Sequence, residues 1–329
     1  MTLHNAKPVA DKRIVVIGGG TGTYTVLSGL KRYPLNLSAI VTMADDGGST
    51  GVLRDELGVL PPGDVRQCLV ALSQSDLLMR KLMNYRFQNG GLKGHAFGNI
   101  LLSALEKVTG SFDKAVEKAS EILLLEGRVI PATLDQVRLS VKLQNGKVIN
   151  GEHNLDLASI QENIRSIRLK PSGQVNPLAL RAIQEADMIV VGPGSFYSSL
   201  VPNFLVRGLP EAICKSRARK VYVCSLMTKK GHTDGWQAHD YAREIEAYVG
   251  CSFNHIIYNS KKPDTHLLVR YARKGEGLVE FKKEYMDSRF VGRNLVSKKI
   301  PSLSKKDPIK RTLIRHDSVA LGKTILSLL

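Results

Sequence analysis

A glycine-rich run directly after an apolar stretch is the strongest chemical signal in this sequence. Gly18, Gly19, Gly20, Thr21 and Gly22, here called the first glycine loop, follow the apolar run KRIVVI of residues 12–17. Such a run is typical of a buried parallel strand. Glycines after a strand let backbone N–H groups approach a phosphate, and the next helix adds the positive end of its dipole. We predict that this loop binds a phosphate of a nucleotide-type ligand.

The glycine spacing does not specify which nucleotide is bound. Gly18 and Gly20 occupy the first two positions of the dinucleotide pattern G-x-G-x-x-G, but Thr23 stands at the third. The lysine of a Walker phosphate loop is also missing. A dinucleotide, another phosphate ligand and a purely structural tight turn therefore all remain open at this point.

The predicted strand of residues 188–191 is followed by a similar loop that adds hydroxyl groups. The run GPGSFYSS, here called the second glycine loop, contains Gly192, Gly194, Ser195, Tyr197 and Ser199. It predicts a second phosphate nest, with a Pro-Gly turn capped by serine as the alternative. The carboxyl ends of parallel strands meet at one edge of a sheet, so we expect both loops to face one crevice.

Two adjacent aspartates follow the predicted strand of residues 37–43, which comes next in the chain after the strand of residues 12–17. Asp45 or Asp46 could present a carboxylate to a ribose, as an acid at this place does in dinucleotide folds. The pair could also hold a hydrated Mg²⁺ beside phosphates, which makes Mg²⁺ the candidate cofactor, or form a polar turn. The sequence leaves these three interpretations open.

Other polar residues stand at predicted helix starts or in a late loop. His95 precedes a helix that begins near Asn99, and it could bind a phosphate, exchange a proton or serve the structure only. Asp64 suits the N-cap of another helix. The run MTKKGHTDG, which contains Thr228 and Asp234, is a candidate substrate loop. The nearby histidines and aspartates do not have the spacing of a zinc site.

Strands and helices alternate along most of the chain, which predicts an α/β fold. We expect a Rossmann-like, mostly parallel sheet with helices on both faces, and a small antiparallel excursion between residues 128 and 150, where Asn-Gly marks a hairpin. Residues 1–11 are predicted to be a flexible N-terminus. Residues 12–329 are predicted to form a single domain with a basic C-terminal segment from about residue 261.

Charge and composition narrow the class of partner and the compartment. The formal net charge is +17, and residues 261–329 hold seventeen lysines and arginines against seven acids. We interpret this as a solvated basic face, because no nucleic-acid fold signature accompanies it and aromatic residues make up only 6%. The N-terminus lacks an apolar signal core and no run is long enough to span a membrane, so we expect a cytoplasmic protein. The four scattered cysteines are predicted to be reduced thiols.

Taken together, the motifs resemble one family. VVIGGGTG, ADDGGSTG, LPPGDVRQCLVALS, GLKGHAFGN, GPGSFYSSLVPN, VYVCSLMTKKGHTDG and IRHDS occur in order from about residue 13 to the C-terminus. They resemble the bacterial gluconeogenesis factor family (YvcK-like), which is related to the 2-phospho-L-lactate transferase of deazaflavin coenzyme biosynthesis (CofD-like). The chain departs from the family's TQPGETDG-like run at residues 229–232, where it has KKGH.

The resemblance implies a Rossmann-like core that binds a UDP-sugar, typically UDP-N-acetylglucosamine, in a protein needed for cell shape and for growth on gluconeogenic carbon. It implies no established reaction. Both glycine loops, Asp45, Asp46 and Asn99 would line the crevice, with Thr228 and Asp234 nearby.

The resemblance also implies that Tyr271 and Arg315 hold the nucleotide sugar. Arg315 could grip the diphosphate with both guanidinium nitrogens, while Tyr271 could stack on uracil or simply pack. Phosphorylation of Ser318 would place negative charge beside Arg315.

A transferase acting on a nucleotide diphosphate donor is the main alternative function, and an NAD-dependent oxidoreductase is a third. The oligomeric state is open, with a homodimer as the assembly to test.

Overall fold

The fold is built on a parallel sheet whose central strands are apolar along their whole length. The computed structural model describes residues 11–160, 164–285, 287–298 and 313–329. The main sheet contains β1 (Arg13–Gly18), β2 (Asn36–Val41), β3 (Arg128–Pro131), β7 (Met188–Val191), β8 (Arg219–Val223), β9 (His255–Asn259) and β10 (Phe290–Arg293). Their order is β10-β9-β8-β7-β1-β2-β3, and every neighbouring pair is parallel.

A smaller antiparallel sheet stands apart from the main one. It contains β4 (Arg138–Leu143), β5 (Val148–Asn150) and β6 (Ile164–Lys170), with β4 in the middle. The predicted Asn-Gly hairpin joins β4 to β5, but the start of the same region, β3, pairs in the parallel sheet. The predicted α/β fold with a small antiparallel excursion is confirmed.

The helices connect the strands and cover the sheet. They are α1 (Gly20–Leu30), α2 (Gly48–Leu57), α3 (Pro62–Leu72), α4 (Leu77–Asn84), α5 (Phe97–Thr109), α6 (Phe112–Ile122), α7 (Glu152–Leu157), α8 (Pro177–Gln184), α9 (Val201–Phe204), α10 (Leu209–Lys215), α11 (Ala238–Val249), α12 (Thr265–Ala272) and α13 (Ser318–Leu326). The chain leaves β1 towards β2 and leaves β7 in the opposite direction, towards β8. Right-handed crossovers in opposite directions place their helices on opposite faces.

The burial of β1 on both faces explains its apolar sequence. Ile14, Val15, Val16 and Ile17 are at most 2% exposed, because parallel neighbours flank the strand and helices cover both faces. Each such side chain contributes about 1.5–3 kcal/mol of transfer free energy. An apolar run without alternation is the pattern that this environment selects.

Two local expectations are wrong. Asp64 is not the N-cap of α3: the cap is Pro61, and Asp64 lies half-buried in the first turn. The ring of Pro62 presets the helical φ and needs no N–H donor at that end, so the helix starts three residues earlier. Cys214 and Cys251 are not thiols but form a disulfide, since the fold brings their Cα atoms to 5.7 Å. Cys68 and Cys224 are free and buried.

Parts of the predicted termini lie outside the described residues. These are residues 1–10 of the N-terminus and residues 299–312 of the basic segment. Across the described residues, no helix combines the length and apolar character needed to cross a bilayer.

Candidate functional site

The crevice at the switch point of the sheet is the candidate site. The strand order reverses between β1 and β7, and in open α/β sheets ligands bind beyond the carboxyl ends of such strands. A cavity of about 530 Å³ lies there, a size that accommodates a small-molecule ligand. Both glycine loops border it.

The two glycine loops are in direct contact. A Cβ built on Gly22 would lie 1.6 Å from the carbonyl oxygen of Pro193, so only glycine permits this approach. Gly20 has a φ of +60° and begins α1, which points the N-terminal end of the helix at the cavity. Ser225, after β8, donates a hydrogen bond of 3.1 Å to the carbonyl of Gly194. Three strand ends therefore meet around one cavity.

Most predicted ligand residues line this cavity. They are Gly19, Gly20, Thr21, Gly22, Gly194, Ser195, Ser199, Thr228, Tyr271 and Arg315. Gly18 ends β1 and Gly192 directly follows β7, so these two belong to the turns that lead into the loops but do not border the cavity themselves. The expectation that both loops face one crevice is thus met by the geometry.

Tyr271 holds the chain segment that carries Arg315. The Tyr271 hydroxyl accepts hydrogen bonds from the backbone N–H groups of Leu313 (2.8 Å) and Ile314 (3.2 Å). Its ring is 5% exposed and packs with Leu226 and these two residues, while still bordering the cavity. We call residues 313–317 the C-terminal strap. Tyr271 therefore holds in place the strap that carries Arg315.

The strap is also paired on its other side. Its backbone bonds to the segment after β10: the N–H of Ser297 donates to the carbonyl of Arg315 (2.8 Å), and the N–H of Asp317 donates to that of Leu295 (2.7 Å). His316 borders the cavity, bonds to the carbonyl of Cys224, and has its pKa lowered to about 4 by burial. The imidazole is neutral at pH 7, which leaves the guanidinium of Arg315 as the strap's cation at the cavity.

Asp45 and Asp46 are not among the residues that border the cavity, and glycines lie close to both side chains: Gly63 to that of Asp45 and Gly151 to that of Asp46. Burial raises the pKa of the Asp45 carboxyl, which accepts hydrogen bonds from Gly47 and Thr50. The Asp46 carboxylate accepts the N–H of His153 at 2.8 Å. The two side chains thus have different partners, although they are adjacent in the sequence.

Asp64 and Glu152 extend this acidic region towards the first glycine loop. Burial, and next the charge of Asp45, raises the pKa of Asp64 to about 8 and that of Glu152 to about 9. A Cβ on Gly19 would lie 2.4 Å from the Asp64 carboxylate, which also accepts a hydrogen bond from the backbone N–H of Gly20. Asp64 therefore lies directly against the loop that the sequence predicts to bind phosphate.

The region is not a ready metal cluster. Among the residues that the structure describes, no three or more acid, histidine or cysteine side chains come together to hold a metal ion. Mg²⁺ commonly binds one or two carboxylates together with ligand phosphates. An Mg²⁺ ion at Asp45 or Asp46 thus remains a proposal.

His95 and Asn99 form a buried network outside the cavity. The Ser49 hydroxyl contacts His95 Nδ1 at 3.1 Å and accepts a hydrogen bond from the Asn99 amide at 3.2 Å. The Asn99 carbonyl oxygen accepts a hydrogen bond from Arg66 Nε at 2.9 Å. The network connects α2, α3 and α5, so the structure gives both residues a packing role beside the site.

Tyr197 and Asp234 support loops. The Tyr197 ring belongs to an aromatic cluster with Phe196 and Trp236, at centroid distances of 5.0 and 6.1 Å. The Asp234 carboxylate accepts the N–H of Gly231 at 2.6 Å. Asp234 borders a neighbouring cavity of about 500 Å³ that shares Thr228 with the first.

Sequence reasoning did not single out several titratable residues as part of the site. Four of them border the cavity: Asp156, Lys229, Glu276 and His316. The fifth, Asp64, lies against Gly19 of the first glycine loop. No local motif marks Asp156, which lies in α7 between two strands of the antiparallel sheet, or Glu276, which lies in the loop after α12. Tertiary packing brings both of these segments to the cavity. Lys229 had a signal, since it begins the run that departs from the family pattern.

Comparisons with known proteins agree with this architecture. Residues 14–300 match the family model described as 2-phospho-L-lactate transferase CofD. The gluconeogenesis factor of Bacillus subtilis is 36% identical, over 96% of this chain and 98% of its own. That of Halalkalibacterium halodurans is 42% identical, over 80% of this chain and 82% of its own.

A solved structure shows the same fold. The crystal structure of a UPF0052-family protein from Bacillus halodurans superposes with a TM-score of 0.87 at 36% identity, and the match covers 96% of this chain and 100% of that one. The sequence resemblance is confirmed: the chain belongs to the CofD family and, within it, to the bacterial gluconeogenesis factors.

Proposed function

We propose that the protein binds a UDP-sugar, with UDP-N-acetylglucosamine as the first ligand to test, and acts as a regulator without turnover. The observation that carries the proposal is the convergence of two glycine loops and Arg315 on one cavity. Backbone N–H groups at a helix start and an arginine fork are the groups that recognise a diphosphate. We further propose that binding supports cell shape and growth on gluconeogenic carbon.

The cavity favours a nucleotide sugar over a dinucleotide. Its charged lining includes Lys229 and Arg315, and its hydroxyl groups include Thr228 and Ser199, which suit phosphates and sugar hydroxyls. Dinucleotide folds present an acid after the second strand to the ribose, but Asp45 and Asp46, which follow β2, are not among the residues that border the cavity.

Isothermal titration of the full chain with UDP-N-acetylglucosamine tests the proposal. We expect saturable binding, weaker binding of NAD⁺, and a loss of about tenfold or more in affinity for Arg315→Ala, because a charge-assisted bidentate contact is removed. Arg217→Ala is the matched control, since Arg217 is exposed and away from the cavity. Absence of binding at millimolar ligand would overturn the proposal.

A second candidate is a transferase that uses a nucleotide diphosphate donor. The paired aspartates favour it, because Asp45 or Asp46 could hold Mg²⁺ beside a leaving phosphate, and a third acid, Asp64, lies against Gly19 and Gly20 of the first glycine loop. An assay with a guanylyl phospholactate donor, a deazaflavin acceptor and Mg²⁺ tests this function. Formation of the phospholactyl product would support it, and a strict absence of product would reject it.

A further inference from the structure

We propose that Lys229 is a second phosphate-binding cation of the cavity, held by Asp156 until an anionic ligand takes its place. The inference rests on the proposed function and assigns a role to the loop at which this chain departs from its family pattern. It predicts that Lys229 and Asp156 act on ligand affinity in opposite directions.

Both side chains belong to the same cavity as the glycine loops. Lys229 and Asp156 border it, and the Lys229 ammonium forms an ion pair with the Asp156 carboxylate. The Lys229 side chain is 27% exposed and that of Asp156 36%. The pair is therefore screened by water only in part, and each charge needs a partner.

The backbone around Lys229 is fixed, so that only its side chain is free to change partner. Its N–H donates to the Thr233 hydroxyl at 2.9 Å, and its carbonyl accepts from the N–H groups of His232 and Thr233 at 3.0 and 2.9 Å. A lysine ends in a compact ammonium on a flexible stem, which can turn from a carboxylate to a phosphate without moving the loop.

The segment that carries Asp156 is fastened to the same loop. His232 Nε2 lies 3.0 Å from the carbonyl oxygen of Ala158, and the N–H of Ile160 donates to the carbonyl of Gly231 at 2.8 Å. A Cβ on Gly231 would lie 2.9 Å from the Cα of Ser159, so the two backbones are in close contact. The ion pair thus joins two segments that already hold each other in place.

The other charges at the cavity explain why a competing anion is needed. Glu276 also borders it, with a pKa raised by burial, which Lys274 and Lys229 partly oppose. Burial and the charge of Lys229 lower the pKa of His232, so this imidazole adds no cation near pH 7. Without Lys229, the Asp156 carboxylate would repel an incoming diphosphate. With Lys229 present, the diphosphate takes the place of the Asp156 carboxylate as the partner of the ammonium, because it carries more negative charge.

Two substitutions with opposite expected effects test the inference. Titrations of the full chain with UDP and with UDP-N-acetylglucosamine should show about tenfold weaker binding for Lys229→Gln, and near wild-type binding for Lys229→Arg, which keeps the charge. Asp156→Asn should bind about three- to tenfold more tightly, because the competing carboxylate is gone. Lys230→Gln is the matched control, since this exposed lysine packs its stem on Gly275.

A purely structural ion pair would give a different pattern. Both Lys229→Gln and Asp156→Asn would then weaken binding and lower the melting temperature, which is measured in parallel for every variant. Two outcomes would overturn the inference while leaving the proposed function intact, provided that the wild type binds the ligand. One is an affinity of Lys229→Gln equal to that of the wild type, and the other is weaker binding by Asp156→Asn. If the wild type binds neither ligand, the proposed function fails, and the inference fails with it.

Discussion

Gly22 is the position at which one methyl group would separate the two glycine loops. Its Cβ would lie 1.6 Å from the carbonyl oxygen of Pro193, which belongs to backbone and cannot turn away. We expect Gly22→Ala to lower the free energy of unfolding by about 1–3 kcal/mol, as overpacking does, and to abolish measurable UDP-N-acetylglucosamine binding. Urea unfolding and calorimetry measure both effects. Gly91→Ala, at a site with open space, should change neither.

The raised pKa values of Asp64 and Glu152 predict a pH dependence of stability. The pKa of Asp64 is about 8 in the folded protein, and an unfolded aspartate titrates near 3.9. Between about pH 4 and 8 the native state therefore binds more protons than the unfolded state, and stability falls as pH rises. Glu152, with a pKa of about 9, acts in the same direction.

Asp64→Asn should flatten this dependence. Each extra bound proton contributes a slope of at most about 1.4 kcal/mol per pH unit, and the substitution removes one such group. Urea unfolding at pH 5, 6, 7 and 8 measures the slope. Glu117→Gln, at an exposed position of α6, serves as the control. Identical slopes for Asp64→Asn and wild type would contradict the prediction.

Helices α1 and α13 cross at two glycines, and this crossing connects the first glycine loop with the C-terminal strap. A Cβ on Gly29 would lie 2.1 Å from the carbonyl oxygen of Ser318, and one on Gly322 would lie 2.8 Å from the backbone of Gly29. Helix α1 begins in the first loop, while α13 follows Arg315 within three residues. The position of Arg315 should therefore depend on how closely these helices pack.

Gly29→Ala should displace α13 and weaken ligand binding from a distance. We expect a loss of about 1–3 kcal/mol in unfolding free energy, because overpacking at the crossing exceeds the gain in helix propensity of about 1 kcal/mol. Calorimetry should show weaker UDP-N-acetylglucosamine binding. Val319→Ala, on the exposed side of α13, should stay within about 0.5 kcal/mol of wild type. Equal behaviour of the two variants would refute the coupling.

The disulfide links helix α10 to the residues that follow α11. Cys214 lies in α10 and Cys251 follows the end of α11, with 37 residues of sequence separation. A cross-link over a loop of this size stabilises a protein by about 2–4 kcal/mol. We expect a reducing agent to lower the melting temperature of the wild type but not that of Cys214→Ser. An equal response of both proteins would show that the bond does not contribute.

Local patterns predicted much of the fold for a physical reason. The apolar runs of β1 and β7 and the glycines after them reflect short-range requirements, namely burial on both faces and backbone N–H groups free for a ligand. No local pattern predicts helix α2, because its sequence, GSTGVLRDEL, carries glycine and polar residues that are typical of loops. Its tertiary contacts, among them the hydrogen bond from Arg54 to the carbonyl of Val137, outweigh that weak propensity.

The sequence by itself determined the α/β class, the two glycine loops and the family, since each depends on residues that are adjacent in the chain. Only the tertiary structure decided which charged groups share the cavity. Asp45 and Asp46 do not border it, whereas Asp156, Lys229 and Arg315 do. The reason is that strand order and packing between remote segments set burial and charge contacts, and no spacing within one segment encodes them.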